Sequence, residues 1–246
     1  MTPLKLNCDL GEAYGVWHLG DDEPIMPLID QANIACGFHA GDSGTMLKTL
    51  KLARANKVEV GAHPSYPDRI GFGRRSMRIA PEDLYSDILY QTAALTGMAA
   101  TLNVRVSYIK PHGALYHDML SQSATFGALL QAAKDCALKL MVPAGATTQF
   151  MQEQAANEGV ELMLEAFADR RYTKHKTLLP RPEPGAVLSK CEMLEQARRL
   201  ITDSCVISNC GTPIELRADT LCVHGDSPSA LAALQEIRCL VNACVD

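Results

Sequence analysis

The sequence predicts an α/β fold built on a parallel sheet, either closed as a barrel or doubly wound. Short apolar segments alternate with longer helical ones about seven times. Residues able to do chemistry gather just past the predicted strand ends. Neither a dinucleotide-type Gly-x-Gly-x-x-Gly after the first strand nor a phosphate-loop Gly-x-x-x-x-Gly-Lys-Ser/Thr is present. The 246 residues suit one large core, since single α/β barrels run to about 250 residues. One domain over 1–246 is therefore expected.

The first strand covers Leu4–Asp9 and leads into Asn7-Cys8-Asp9-Leu10-Gly11-Glu12. Gln31–Cys36 is the second, followed by a Gly-rich turn and a helix from about Ser43. On that helix Met46, Leu50 and Ala53 recur at helical spacing while Lys48, Lys51 and Arg54 fall elsewhere. Val58–Ala62 is the third strand. Pro81-Glu82-Asp83 opens a long helix: the proline gives up only an N–H that would be unpaired, and the acids meet the positive end of the helix dipole. Arg105–Lys110 is the fourth strand, Ser121–Cys136 a helix and Leu138–Val142 the fifth strand. A helix over Thr147–Asn157 leads through Gly159 to the sixth strand, Val160–Glu165. Residues 168–188 read as a long polar loop rich in Arg and Pro. Lys190–Thr202 is helical, Ser204–Ser208 an extra strand and Thr220–Val223 the last clear one. Ser227-Pro228 starts a final helix with Leu231, Leu234, Ile237 and Val241 on one face.

A 47% hydrophobic, 21% charged composition belongs to a globule rather than a disordered chain. The net charge of −5 argues against nucleic acid, which calls for clustered excess Lys and Arg. No apolar run is long enough to span a bilayer, so no membrane association is expected. The start of the chain lacks the basic and apolar stretches of a secretory leader, and a cytoplasmic location is expected. The nine cysteines show no Cys-x-x-Cys spacing, so they read as reduced, mostly buried thiols.

Five of the seven histidines, His39, His63, His112, His117 and His224, lie just past a predicted strand. In a parallel α/β fold these ends share one face, where ligands bind. Period-two alternation puts Leu4, Leu6 and Cys8 on one face of the first strand and Lys5, Asn7 and Asp9 on the other. Likewise Val58, Val60 and Ala62 oppose Glu59, Gly61 and His63, and Cys222 points with His224. The apolar sets pack under helices, and the polar sets face a barrel lumen. There an unpaired charge is costly, so these residues are expected to be paired, metal-bound or catalytic.

Asp9 and Glu12, with His39 and His63 on adjacent strand ends, suit acid/base chemistry or a divalent metal held by Asp9, His39 and His63. Neutral, hydrogen-bonded supporting roles for the two histidines are the alternative. Lys110, the remaining catalytic candidate, would meet a substrate carboxylate or phosphate, or else pair with Glu165 or Asp9. Arg69, Arg74 and Arg75 flank Gly71 and Gly73 in a basic loop that could close over an anionic group, against the alternative of surface ion pairs. Arg170, Arg171 and Arg181 are candidates of the same kind. Asn7, Asp42, His112, Glu165, Asp169 and His224 complete the set expected near substrate or phosphate. His117 reads as ordinary surface.

Six ordered stretches, NCDLGE at 7–12, NIACGFHAGD at 33–42, GAHPSYPDRIGFGRR at 61–75, IKPHGALY at 109–116, EAFADRRY at 165–172 and CVHGD at 222–226, together resemble the LamB/YcsF family of 5-oxoprolinase A subunits. The resemblance runs from first strand to last. It implies a distorted seven-stranded (β/α) barrel like those of glycoside hydrolases and polysaccharide deacetylases. It also implies opening of 5-oxoproline to L-glutamate with ATP hydrolysis, as a cyclic-amide hydrolase in complex with partner subunits B and C. One departure stands out. Where the family usually has Asp-Gly after the EAFADRRY stretch, this chain has His175-Lys176.

A lactam amide is a poor electrophile, so the implied chemistry is phosphorylation of the lactam oxygen by ATP followed by base-assisted attack of water. Asp9 and Glu12 are the candidate bases. Two other readings remain: a stand-alone metal-dependent amidase or carbohydrate deacetylase, and a non-catalytic barrel that scaffolds subunits B and C.

Overall fold

The computed structural model describes residues 4–223 and 228–243. Its strands are β1 (Lys5–Leu10), β2 (Gln31–Ala35), β3 (Glu59–His63), β4 (Val106–Ile109), β5 (Lys139–Pro143), β6 (Leu162–Phe167), β7 (Cys205–Ile207), β8 (Pro213–Glu215) and β9 (Thr220–Cys222). β1 to β6 and β9 close a barrel in the order β1-β2-β3-β4-β5-β6-β9, every neighbour parallel. The alternative of an open, doubly wound sheet is thereby excluded. The expected extra strand near Ser204 exists, but it pairs antiparallel with β8 outside the barrel.

The helices are α1 (Asp22–Ile25), α2 (Ser43–Asn56), α3 (Pro81–Thr101), α4 (Gly113–Ser121), α5 (Ser123–Asp135), α6 (Gln149–Glu158), α7 (Lys190–Asp203) and α8 (Pro228–Ala243). The helix expected over Ser121–Cys136 is α5, begun two residues later, and a further helix, α4, precedes it and ends where Gln122 turns extended. Gly113 starts α4 at φ +56°; a Cβ there would lie 2.4 Å from the Gly73 carbonyl oxygen. No described helix is long and apolar enough to cross a membrane. On α8, Leu234, Ile237 and Val241 are buried as the periodicity predicts; Ser227 lies outside the described residues.

Alternation sorts the barrel residues as expected. Leu6, Cys8, Ala32, Ile34, Val60, Ala62, Leu140, Val142 and Leu221 belong to the main core between strands and helices. The lumen has two halves. Its floor is an apolar plug of Tyr108, Met141 and Met163. Gly61 makes room for this plug, since a Cβ there would meet Tyr108 Cε2 at 2.0 Å. Above the plug the lumen is polar.

One expectation is borne out with an addition and one needs correction. Residues 168–188 form the expected loop, with no helix or strand, but Arg170 and Tyr172 in it are buried, and bridges link Arg170 to Val187 and Tyr172 to Leu178. An apolar Tyr172 anchor outweighs the polar composition around it. The described thiols are all free, but only Cys8, Cys36 and Cys222 are buried. The exposed Cys191 and Cys239 sit on amphipathic helices, where covering the core does not require the whole circumference. Cys244 lies outside the described residues.

Candidate active site

Lys110 continues from β4 into the lumen and is 3% exposed. Its Nζ donates to Asp9 Oδ1 at 2.7 Å, lies 2.8 Å from Glu165 Oε1 and reaches Asn7 Oδ1 at 3.3 Å. Burial alone would pull the ammonium down. Asp9 and Glu165 overcome it and hold the group well above its ordinary value. Asn33 Nδ2 donates to both Asp9 Oδ1 (2.8 Å) and Asn7 Oδ1 (2.9 Å), and Tyr108 Oη donates to Asn33 Oδ1. Asn7 Nδ2 donates to Thr220 Oγ1, and Tyr116 Oη donates to Glu165 Oε2 at 2.7 Å. The lysine charge is thus taken up inside the barrel by the two carboxylates named as its alternative partners.

One layer higher, at the strand ends, sit His39, His63 and His112, each buried, with Glu12 half-buried beside them. His39 and His112 stack face to face, centroids 3.7 Å apart, and His63 stands edge-on to both. Backbone positions this cluster. Lys110 N–H donates to the Ala62 carbonyl and His112 N–H to the Pro64 carbonyl, so the β4 end runs beside the β3 end. His63 Nδ1 lies 2.7 Å from the Lys110 carbonyl oxygen, and His112 Nε2 lies 2.8 Å from that of Phe72. A carbonyl only accepts, so both ring nitrogens are N–H donors. His39 Nε2 is 3.2 Å from Glu12 Oε1. Burial, then the neighbouring rings, push His112 well below the ordinary imidazole value, and burial and His63 do the same to His39. Ligand atoms of Glu12, His39, His63 and His112 all lie within 4.8 Å of one another, a group able to hold a metal ion. Asp9, expected among the ligands, lies at its edge, Oδ2 3.3 Å from His63 Nε2.

The cluster opens into a cavity of about 840 Å³. Asp9, Glu12, His63, Lys110 and His112 line one side. Phe72, Phe167, Leu178 and Leu179 give it apolar walls, and Arg74, Arg170 and Arg181 also face it. Arg170 is 4% exposed; it donates to the Leu179 carbonyl, while its Nε is buried without a hydrogen-bond partner.

The other predicted residues divide. Of the basic loop, only Arg74 lines the cavity. Arg75 pairs with Asp68, and Arg69 lies over the Tyr14 ring and donates to the Gly37 carbonyl. Asp42 is the N-cap of α2; it accepts from Thr45 N–H and Gly15 N–H, and these bonds lower its carboxyl. Asp169 is buried beside Arg170 in sequence but does not line the cavity. His117, read as ordinary surface, lines its rim. His224 lies outside the described residues. Sequence reading misses Asn33 and Tyr116. Asn33 carries a signal, a polar residue in the otherwise apolar Ala32–Ala35 run and in phase with Gln31.

The family model described as "LamB/YcsF family" matches residues 4–245. The chain belongs to the LamB/YcsF family. It is 47% identical over 240 residues to a 5-oxoprolinase A subunit of Vibrio cholerae, covering 97% of this chain and 98% of that one. It is 48% identical to the second 5-oxoprolinase A subunit of Pseudomonas putida, covering 96% and 92%. The crystal structure of a lactam utilization protein from Thermus thermophilus superposes with a TM-score of 0.90 at 37% identity, over 98% of this chain and 97% of that one. The seven-stranded barrel expected from the resemblance is thus the fold found. The departure from the family pattern at His175-Lys176 falls in a turn, where Thr173 N–H donates to the Thr177 carbonyl and Lys176 N–H to the Thr173 carbonyl. Lys176 takes φ +64° there, and neither residue lines the cavity.

Proposed function

We propose that this chain is the lactam-opening component of a cytoplasmic, ATP-dependent 5-oxoprolinase, converting 5-oxoproline to L-glutamate with partner subunits B and C. The observation that carries the reading is the convergence of Asp9, Glu12, His63, Lys110 and His112 on one wall of an arginine-bearing cavity. The names of the relatives, as A subunits of 5-oxoprolinase, support the substrate and the need for partners.

In this reading ATP phosphorylates the lactam oxygen and leaves as ADP. Water adds to the ring carbon while a carboxylate takes its proton. The C–N bond then breaks with protonation of nitrogen, and the resulting acyl phosphate yields phosphate to a second water. Glu12 suits the base better than Asp9, because Asp9 Oδ1 accepts from both Lys110 and Asn33 and is correspondingly less basic. Lys110 positions Asp9 and Glu165 rather than meeting phosphate. Arg74 and Arg170 are the candidates for the substrate carboxylate and phosphoryl oxygens. A divalent metal at the histidine cluster would polarise the attacking water, with one Glu12 oxygen toward the ion and the other left to take the proton.

The test is conversion of 5-oxoproline by the chain purified with its two partner subunits, with and without ATP. Turnover should require both the chain and ATP, and Glu12→Gln and His63→Ala should each abolish it. If neither substitution lowers turnover, the assignment fails and the scaffold reading gains. The four-donor group favours a second reading, a metal-dependent amidase or carbohydrate deacetylase; ATP-independent turnover by the isolated chain would establish it.

A further inference from the structure

The histidine cluster contains a contact that a hydrogen bond between neutral rings cannot explain. His63 Nε2 and His112 Nδ1 face each other at 3.0 Å. Each ring has spent its N–H on a backbone carbonyl, His63 on Lys110 and His112 on Phe72. In the neutral rings both facing nitrogens therefore carry lone pairs. Carboxylate oxygens add to the same point: Glu12 Oε1 is 3.7 Å from His112 Nδ1, and Asp9 Oδ2 is 3.3 Å from His63 Nε2. His39 stacks on His112 with Nε2 3.2 Å from Glu12 Oε1, where in the absence of an ion the carboxylate would take its N–H, and its Nδ1 is buried without a partner.

We propose that a single borderline divalent transition-metal ion binds here, held by His63 Nε2, His112 Nδ1 and Glu12 Oε1, with His39 Nε2 as the fourth donor. A metal-bound imidazole commonly gives its other N–H to a carbonyl or carboxylate, fixing the tautomer and the ring's direction. Two of the three rings here are anchored that way, each to a carbonyl at the end of a barrel strand or in the adjoining loop. The donor set of imidazoles and one carboxylate selects zinc, cobalt, iron or manganese over magnesium and calcium, which favour oxygen-only shells. Lys110 and Asn33 hold Asp9 Oδ1, and Asp9 Oδ2 lies at the edge of the donor set, 3.3 Å from His63 Nε2. The inference rests on the preceding reading only in taking this mouth as the reaction site, and the ligand geometry stands apart from the substrate.

The probe is the metal ion itself. Chelator-treated full-length protein is titrated with Zn2+ by calorimetry, and metal content is measured by mass spectrometry. Co2+ loading is followed by its visible absorption. The expected result is about one Zn2+ per chain, unaffected by excess Mg2+. His63→Gln, His112→Gln and Glu12→Gln should each weaken binding beyond the roughly 10- to 100-fold loss that an outer-sphere partner costs. Circular dichroism checks that each variant is folded. The combined Cys191→Ser, Cys210→Ser and Cys239→Ser variant should keep full stoichiometry, excluding capture by the described exposed thiols. Absence of binding by Zn2+, Co2+, Fe2+ and Mn2+ overturns the proposal. So does binding that survives all three ligand substitutions, or nitrogen NMR showing His63 as an imidazolium that donates to His112 and Asp9. Metal binding without 5-oxoproline turnover would sink only the functional reading, and turnover by protein that binds none of the four ions only this one.

Discussion

Replacing Lys110 with Met removes an ammonium that lies within 3 Å of both Asp9 Oδ1 (2.7 Å) and Glu165 Oε1 (2.8 Å). Glu165 is fully buried and cannot turn to water, and the Asp9 side chain, 11% exposed at the cavity wall, is only partly able to. Removing one partner of a buried pair costs about 3–5 kcal/mol, because the charge left behind keeps its desolvation penalty. Asn33 and Tyr116 still donate to the two carboxylates, which places the expectation at the lower end. At roughly 2–4 °C per kcal/mol for a chain of this length, the melting temperature should fall by about 6–12 °C.

The pH dependence follows from the raised Lys110 value. A cation whose pKa is higher in the folded state contributes stability that is fully present below the unfolded value, about 10.4. That contribution is lost only as pH rises through the folded value. The lysine's own contribution is therefore in place throughout neutral pH, and the assay is urea denaturation of both proteins at neutral pH. A double-mutant cycle with Glu165→Gln identifies the cause: the Lys110→Met/Glu165→Gln protein should be less destabilised than the sum of the single variants. A loss under about 1 kcal/mol, or strict additivity, would refute the view that Lys110 is held by its carboxylates.

Other consequences can be checked directly. Gly61→Ala forces a methyl against Tyr108, which lies 2.0 Å from the added Cβ; it should cost about 1–3 kcal/mol by denaturation, and a paired Tyr108→Leu should recover part of the loss. Arg74 lines the cavity whereas Arg75 is paired with Asp68. Arg74→Ala should therefore raise KM for 5-oxoproline roughly tenfold or more in the assembled enzyme, and an unchanged KM would remove Arg74 from substrate binding. Cys210 is exposed, and the Ser208 hydroxyl, followed by Thr212, lowers its thiol to about 7. Iodoacetamide should label it ahead of the other thiols at neutral pH, with a rate that rises as the thiolate forms, and Ser208→Ala should move that midpoint upward.

Much of the barrel is legible because its signals are local. Alternation in Lys5–Leu10 and Glu59–His63 separates lumen from core residue by residue, and the polar residues past each strand mark the open face. Helix α4 escapes sequence reading because a helix beginning on glycine immediately after a strand has no capping signature; its start depends on the Gly113–Gly73 contact, between residues 40 positions apart in sequence. Asp42, Arg69 and Arg75 resemble site residues because a side chain's charge is written in the sequence and its partner is not. Asp42 is spent on a helix cap, Arg75 on Asp68 and Arg69 on Tyr14 and Gly37.

The histidine cluster shows the same division more sharply. Its residue types and their places at three strand ends are readable, but the feature that distinguishes a metal centre from a set of supporting imidazoles is which nitrogen carries the proton. That depends on the carbonyls of Lys110 and Phe72, and a backbone oxygen has no sequence signature. His112 and Glu12 therefore join His39 and His63 only once β3, β4 and the β3–α3 loop are set side by side. Asp9 moves outward for a complementary reason. Lys110 and Asn33 draw one Asp9 oxygen down into the lumen and leave the other at the edge of the cluster, so the strand that supplies Lys110 also sets how far this acid reaches toward the mouth.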